Sequence, residues 1–230
     1  MKKIVVLSGA GISAESGIST FRDSGGLWEG HDIMEVASPQ GWNKNPSLVL
    51  DFYNKRRKQA MEVQPNAGHL ALVELEKKFE VSIITQNVDD LHEKAGSSKV
   101  IHLHGELQKV RSTIDPSIIY TLEGWELKIN DVCEKGSQLR PHIVWFGEEV
   151  PMMEVAIREA ENADIFIIVG TSLQVYPAAG LIHHVPRSAR IYIIDPHMPS
   201  VPWSENLNLI HATGTKGLPE LADILLSAEG

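Results

Sequence analysis

Lys3-Ile4-Val5-Val6-Leu7-Ser8-Gly9-Ala10-Gly11-Ile12-Ser13 is the stretch on which the fold turns. Its apolar, β-branched half reads as a buried strand, and its Gly-x-Gly half as a tight turn into a helix. Glycines there let the backbone approach a phosphate closely, and amides at a helix start point toward an anion. A strand-to-helix turn with no ligand uses the same residue types, so the stretch alone leaves both readings open. The dehydrogenase fingerprint also asks for a third glycine and for an acidic residue about 20 residues on, at the end of a second strand. Here Ala14 holds the third glycine position, and Ser19-Thr20-Phe21-Arg22-Asp23-Ser24-Gly25-Gly26 is a polar loop rather than a strand. A nucleotide at this turn is not expected in the usual hydride-transfer pose.

Outward from that turn, further short apolar runs bounded by turn residues predict strands at Val81 to Thr85, Val100 to Leu103, Ile165 to Val169, Arg190 to Ile194 and Asn208 to His211. Helix patterns lie between them. Asn45-Pro46 opens a helix running past Tyr53 and Arg57. Asn66 caps Ala67 to Lys78, with Leu70, Val73, Leu75 and Phe79 as its apolar stripe. Pro151 precedes Glu154 to Asn162, and Pro219 starts the last helix. Strands alternating with helices predict an α/β fold, a Rossmann-type doubly wound parallel sheet. Residues 1–23, 66–106 and 141–230 would build it. The remaining stretches, 24–65 and 107–140, would form a smaller inserted module, leaving a cleft between the two within one catalytic unit of 230 residues.

The formal net charge of -9, without a lysine or arginine run, argues against a nucleic-acid face. The first apolar run stops at Leu7, too early for a secretory core, and no later run is long enough to cross a bilayer. The single cysteine, Cys133, rules out an internal disulfide. A cytoplasmic location is the expectation.

Polar clusters follow the predicted strands. Gln86-Asn87-Val88-Asp89-Asp90-Leu91-His92 comes straight after Thr85, where Asn87 or Asp89 serves equally as a helix cap or as a ligand group. Ile101-His102-Leu103-His104-Gly105 places two histidines at strand spacing, with His104 at the carboxyl end. Imidazole suits proton transfer near neutral pH, so His104 is the candidate base. A metal pair is the rival reading, and a hydrogen-bonded structural role is preferred for His102. Gly170-Thr171-Ser172 and Gly214-Thr215-Lys216-Gly217 repeat the theme. A nucleotide cleft explains these sites together better than independent turns do.

In this order, Gly9-Ala-Gly-Ile-Ser-Ala-Glu-Ser-Gly-Ile18 with Phe21-Arg22-Asp23, then Gln86-Asn-Val-Asp89, His104-Gly105, Val144-Trp-Phe-Gly-Glu148, Gly170-Thr-Ser-Leu173 and Val175-Tyr-Pro177 resemble the sirtuins over nearly the whole chain. The resemblance implies an NAD-dependent protein-lysine deacylase that consumes NAD. In that reaction the acyl oxygen of a modified lysine attacks the ribose carbon bearing nicotinamide, giving free lysine, nicotinamide and acyl-ADP-ribose. It implies that Ala10, Gly11 and Ser172 cradle phosphates, with Gly9, Gly170 and Thr171 also binding the cofactor, Arg22 anchoring the loop beside them and Phe21 shielding the reacting ribose. It further implies that Asn87 and Asp89 hold the nicotinamide side, Asn87 close to the chemistry, that Gln86 binds ribose hydroxyls, and that His104 deprotonates one. Thr215 joins the cofactor group. Asp195 stands where many relatives have asparagine for the adenosine ribose; it either accepts from ribose hydroxyls or caps the turn before Pro196. Val144, Phe146, Gly147 and Glu148, with Val175 and Tyr176, would flank an acyl-lysine peptide as an added strand.

Tyr53 and Arg56 are three apart and share a helix face. Sirtuins that remove succinyl or malonyl groups carry this pair, with an alanine upstream that Ala37 matches. A guanidinium and a phenol suit a distal carboxylate; the alternative is that Arg56 and Arg57 belong to a solvated face. Most sirtuins also hold a structural zinc with four cysteines. Residues 107–140 contain only Cys133, Ser112 falls where the first thiolate would be, and four ligands are needed. No zinc is expected, and Ile118, Ile119, Leu122, Trp125, Leu127 and Ile129 are the candidates for apolar packing in its place. An NAD hydrolase or a non-catalytic NAD-binding sensor on the same fold are the alternatives.

Overall fold

The computed structural model describes residues 1–19, 27–28 and 30–228. In chain order they begin with β1 (Lys3–Ser8), α1 (Ala10–Ala14), β2 (Leu27–Trp28), β3 (His31–Asp32), α2 (Ile33–Val36), α3 (Pro39–Lys44), α4 (Pro46–Glu62) and α5 (Ala67–Leu75). Next come β4 (Glu80–Thr85), α6 (Leu91–Ala95), β5 (Val100–His102), β6 (Gly105–Ser112), β7 (Ile119–Thr121) and β8 (Leu139–Ile143). The chain ends with α7 (Met153–Glu161), β9 (Ile165–Val169), a 3₁₀ segment (Ala178–His184), β10 (Arg190–Ile194), β11 (Leu207–Ile210) and α8 (Gly214–Ala228). Among the described residues no helix is long and apolar enough to cross a membrane.

Six strands form one sheet in the order β11-β10-β9-β1-β4-β5, and every neighbouring pair is parallel. Because β1 is covered on both faces, its side chains alternate between two cores rather than between core and water. Ile4 and Val6 pack with Leu72 and Leu75 of α5 and Leu218, Leu221 and Leu225 of α8. Val5 and Leu7 pack with Ala156 and Ala160 of α7 and with Leu181. Each such fully buried side chain contributes about 1.5–3 kcal/mol, which is why the strand needs no polar residue before Ser8. The strand order reverses between β1 and β9. That switch point is where a sheet of this kind opens a crevice at its carboxyl edge.

The second core belongs to the smaller module. Trp28, Val36, Ala37, Val49, Phe52, Tyr53, Leu107, Ile143 and Trp145 cluster around α4. A further group joins Leu50 to Val110, Leu127, Cys133 and Leu139. Here β6 is the middle of an antiparallel sheet, β7-β6-β8, running from Gly105 to Ile143 and so wider than the 107–140 stretch expected. Arg57 is wholly buried and ties the module together, donating to the Leu107 and Trp125 carbonyls and to Asn54 Oδ1, and burial lowers its pKa to about 10. Neither Arg56 nor Arg57 is part of a solvated face.

Three local expectations need correction. The helix begun at Pro219 begins at Gly214 instead, because its first turn docks on the sheet; a Cβ at Gly217 would lie 2.5 Å from Ile194 Cγ2, so the pair of glycines admits the approach. Leu70 is exposed, and the buried face of α5 is Ala71, Leu72 and Leu75. Of the proposed small-module residues, Leu127 is buried and Ile118 and Leu122 are partly so, while Ile119, Trp125 and Ile129 face solvent. Leu50 of α4 packs with Val110, Leu127, Cys133 and Leu139 to make that core instead.

Candidate active site

Five successive strand ends supply the walls of one cavity of about 600 Å³: Gly9 after β1, Gln86 after β4, His104 after β5, Gly170 after β9 and Asp195 after β10. Its other side comes from the smaller module through Ala37, Tyr53, Arg56, Val144, Phe146 and Gly147. That size lies within the range of small-molecule and cofactor sites.

At the switch point the glycines have a structural reason as well. The Gly9 amide donates to the Val169 carbonyl at 3.0 Å and the Gly11 amide to the Gly170 carbonyl at 2.8 Å. A Cβ on Gly11 would stand 2.6 Å from Gly170 Cα, so the two turns interlock only without side chains. Gly170 itself has φ +63. The glycines are thus a packing requirement of the turn, and the same turn places Ala10, Gly11 and Ser172 in the cavity wall.

Behind them a buried polar chain sets the orientation of Asn87. Its Nδ2 donates to the Gly9 carbonyl and to Ser13 Oγ, each at 3.1 Å, and its own amide donates to Thr85 Oγ1. With the amide nitrogen so occupied, the carboxamide oxygen is the atom left for a ligand. Asp89 is buried, and burial pushes its carboxyl up while the Leu91 amide and the Ser13 hydroxyl pull it back, with a net rise. Ser13 thus accepts from Asn87 and donates to Asp89, a joint role that residue-by-residue inspection of the sequence missed. Its position two residues past the Gly-x-Gly turn was the available signal.

His104 lies in the two-residue link between β5 and β6, the hinge point between the two sheets. Gly105 has φ +86, and a Cβ there would lie 2.0 Å from the His142 carbonyl oxygen, so no other residue fits beside the histidine. His104 Nδ1 pairs with the Gln86 carbonyl at 3.1 Å, which fixes the proton on Nδ1 and leaves the Nε2 lone pair as the basic atom. Burial lowers its pKa from the ordinary histidine value, against a smaller opposing effect of that carbonyl. A general base must be neutral, so kcat/KM is expected to hold level from pH 8 down to about 6.5 and to fall only below the ordinary histidine value. A pH–rate profile checks this; an acid limb centred above 7 contradicts it.

His102 takes the structural role. Its Nδ1 donates to the Asn87 carbonyl at 3.2 Å and its Nε2 to Glu93 Oε1 at 2.7 Å. Burial alone would lower its pKa, but the Glu93 carboxylate outweighs it and the net shift is upward. Both ring nitrogens are occupied, and among the described residues no group of three or more His, Cys, Asp or Glu is placed to share a metal ion. Ser112 and Cys133 meet at 3.4 Å, the thiol donating to the hydroxyl.

Every described candidate lines the cavity except Thr215. The Thr215 hydroxyl is drawn away by Glu15, whose carboxylate it reaches, and Thr213 and Gly214 form the wall instead. Phe21 and Arg22 lie outside the described residues. Asp195 caps its turn, accepting from the His197 amide at 2.8 Å, and also lines the cavity. The Glu148 carboxylate turns inward to Arg140, Arg111 and the Trp145 amide; burial would raise its pKa, and these donors lower it below the usual carboxylate value.

At the smaller-module end, Tyr53 and Trp145 are buried against each other, and Trp145 Nε1 donates to the Tyr53 hydroxyl at 3.1 Å. The Arg56 guanidinium stacks 4.4 Å above the Trp28 ring. Trp28 lies in none of the motifs, and Trp145, inside Val144-Trp-Phe-Gly-Glu148, was not assigned to this wall.

A family model described as the Sir2 family matches residues 9–177. An NAD-dependent protein deacylase of Helicobacter pylori (strain J99) is 57% identical over 226 residues, covering 98% of this chain and 96% of that protein. Another, from Bacteroides thetaiotaomicron, is 54% identical over 233 residues, covering 99% and 100%. Among solved structures, a Sir2 homologue–NAD complex superposes with a TM-score of 0.89 at 42% identity, covering 100% of this chain and 91% of that one. A structure of Sir2 bound to acetylated peptide gives 0.78 at 30% identity, covering 99% and 93%.

Proposed function

The chain belongs to the Sir2 (sirtuin) family and is an NAD-dependent protein deacylase, and from that premise we propose that it removes succinyl and malonyl groups, together with acetyl groups, from lysine side chains. The observation that carries the acidic-acyl part is the buried end of the cavity. Tyr53, Arg56 and Ala37 line the same space as His104, with a guanidinium inside the wall and not in water. Charge-assisted bonds from a guanidinium and a phenol suit a carboxylate at the end of an acyl chain. Ala37, the smallest of the three, leaves room for the longer chain.

The donor set fits NAD. When bound, it supplies the ribose carbon from which nicotinamide departs and to which the acyl oxygen attaches. Ala10, Gly11 and Ser172 would hold its phosphates, and the Asp195 carboxylate would accept from adenosine ribose hydroxyls. Asn87 presents its carboxamide oxygen beside the sugar where positive charge builds, and Ser13 fixes that orientation. His104 Nε2 takes a proton from a ribose hydroxyl, its ring held by the Gln86 carbonyl. Gly147, Val175 and Tyr176 would flank the peptide backbone between the two modules, and the acyl group would leave on ADP-ribose, one water being consumed as the lysine amine is freed. The small module, in this reading, holds together without zinc; one zinc per chain by metal analysis contradicts that.

Nicotinamide release in the presence and absence of acyl-lysine peptide tests the reaction. The expected result is release that depends on peptide. Release at the same rate without it makes the protein an NAD hydrolase, and binding without release makes it a sensor.

A further inference from the structure

The far end of the acyl cavity has a hydrogen-bond polarity that comes from a residue outside the Tyr53/Arg56 pair. A phenol offers one proton and two lone pairs, whereas an indole nitrogen only donates. Trp145 Nε1 donates to the Tyr53 oxygen at 3.1 Å, so the phenol proton must point elsewhere. Among the described residues none accepts that proton from Tyr53. The rings packed around it, Phe52 at 5.1 Å and Trp28 at 6.3 Å between centroids, offer no N or O acceptor, and Arg56 is donor-only. An acceptor therefore has to come from whatever enters the cavity.

Trp145 is itself held firmly. The Arg140 guanidinium lies 3.4 Å from its ring centroid, and Arg140 is gripped by both Glu148 oxygens at 2.7 and 3.0 Å. Glu148 closes the loop by accepting from the Trp145 amide at 2.8 Å. The indole thus has little freedom to turn its N–H away from Tyr53.

We propose that Trp145 is a specificity-determining positioning residue, whose indole N–H turns the Tyr53 hydroxyl proton into the acyl cavity and so selects acyl chains ending in a carboxylate. The inference rests on the acidic-acyl reading above. A carboxylate only accepts and satisfies the phenol proton; the methyl of an acetyl group leaves it unmet, at the cost of a buried polar group without a partner. Glu148 and Arg140 act one step further back, by keeping Trp145 in place.

The test is a double-mutant cycle with succinyl-lysine and acetyl-lysine forms of one peptide, assayed on the parent chain, Trp145→Phe, Tyr53→Phe and the double variant. The expected result is that Trp145→Phe lowers the succinyl-to-acetyl ratio of kcat/KM by about tenfold, the size of one charged-acceptor hydrogen bond, through a raised succinyl KM and not through kcat. In the Tyr53→Phe background the same substitution should leave the ratio unchanged. Equal loss with both peptides, or an effect that persists without the Tyr53 hydroxyl, overturns the proposal and makes Trp145 a packing residue. Trp145→Leu, which also removes the donor, gives the same comparison if the phenylalanine variant does not fold. A parent chain that does not remove succinyl groups overturns the acidic-acyl reading first, and a flat Trp145→Phe ratio in a parent that does so overturns this inference alone.

Discussion

The His104→Ala variant is expected to turn over acyl-lysine peptide about 10²- to 10⁴-fold more slowly than the parent chain, the usual worth of a positioned general base. The geometry makes this one of the two largest single effects. His104 Nδ1 is committed to the Gln86 carbonyl, so one ring atom, Nε2, does the proton transfer, and burial keeps it neutral at working pH. His102 cannot stand in, because both of its ring nitrogens are engaged, by Asn87 and Glu93. The imidazole is tied to the Gln86 carbonyl, so the loss should appear in kcat while NAD binding, followed by calorimetry, changes little. A variant retaining a tenth or more of the parent kcat contradicts the assignment.

Arg56→Met is expected to lower kcat/KM for a succinyl-lysine peptide by about 10- to 150-fold, corresponding to about 1.5–3 kcal/mol for a hydrogen bond to a charged group. Methionine keeps much of the length that stacks on Trp28 and Phe52 and removes only the charge and its donors. An acetyl group ends before that charge, so deacetylation should fall far less. Steady-state assays on the two peptides measure both numbers. Equal losses mean that Arg56 supports the wall and does not read the acyl group. The neighbouring Arg57 is the control in the opposite sense: its bonds to Leu107, Trp125 and Asn54 make it a structural tie, and its removal should lower Tm and cost both activities together.

The parallel sheet was legible because its strands are buried on both faces and read as short, unbroken apolar runs. Ile165 to Val169 and Arg190 to Ile194 were located to the residue. The small sheet was not, and the reason lies in β6. Gly105, Leu107, Val110 and Ser112 are its buried positions, and a register shift between Gly105 and Val110 puts Gln108 and Lys109 side by side on the partly exposed face. That irregularity breaks the alternation by which a half-buried strand is recognised. Pro219 misled for a related reason: proline favours a first turn, but here Gly214 and Gly217 had already brought the backbone against the sheet.

The site was legible where function and strand end coincide. Gly9, Gln86, His104, Gly170 and Asp195 all sit just past a strand, and their order along the chain follows from the order of the strands. Thr215 shares that placement and fails, because a carboxylate from Glu15 on the first turn competes for its hydroxyl, a partnership 200 residues apart that no local pattern records. Trp145 was passed over for the converse reason. Its neighbours in Val144-Trp-Phe-Gly-Glu148 were read as a peptide-binding strand, and only the packing of α4 reveals that the indole reaches Tyr53.

The central claim is that acyl groups, acidic ones foremost, pass from lysine to ADP-ribose in this cavity. Mass spectrometry of matched succinyl-lysine and acetyl-lysine peptides, incubated with the protein with and without NAD, tests it most directly. The predicted result is NAD-dependent loss of the acyl group from both, faster from the succinyl peptide, with the acyl group recovered on ADP-ribose. Survival of both peptides while NAD is hydrolysed or merely bound would contradict the account.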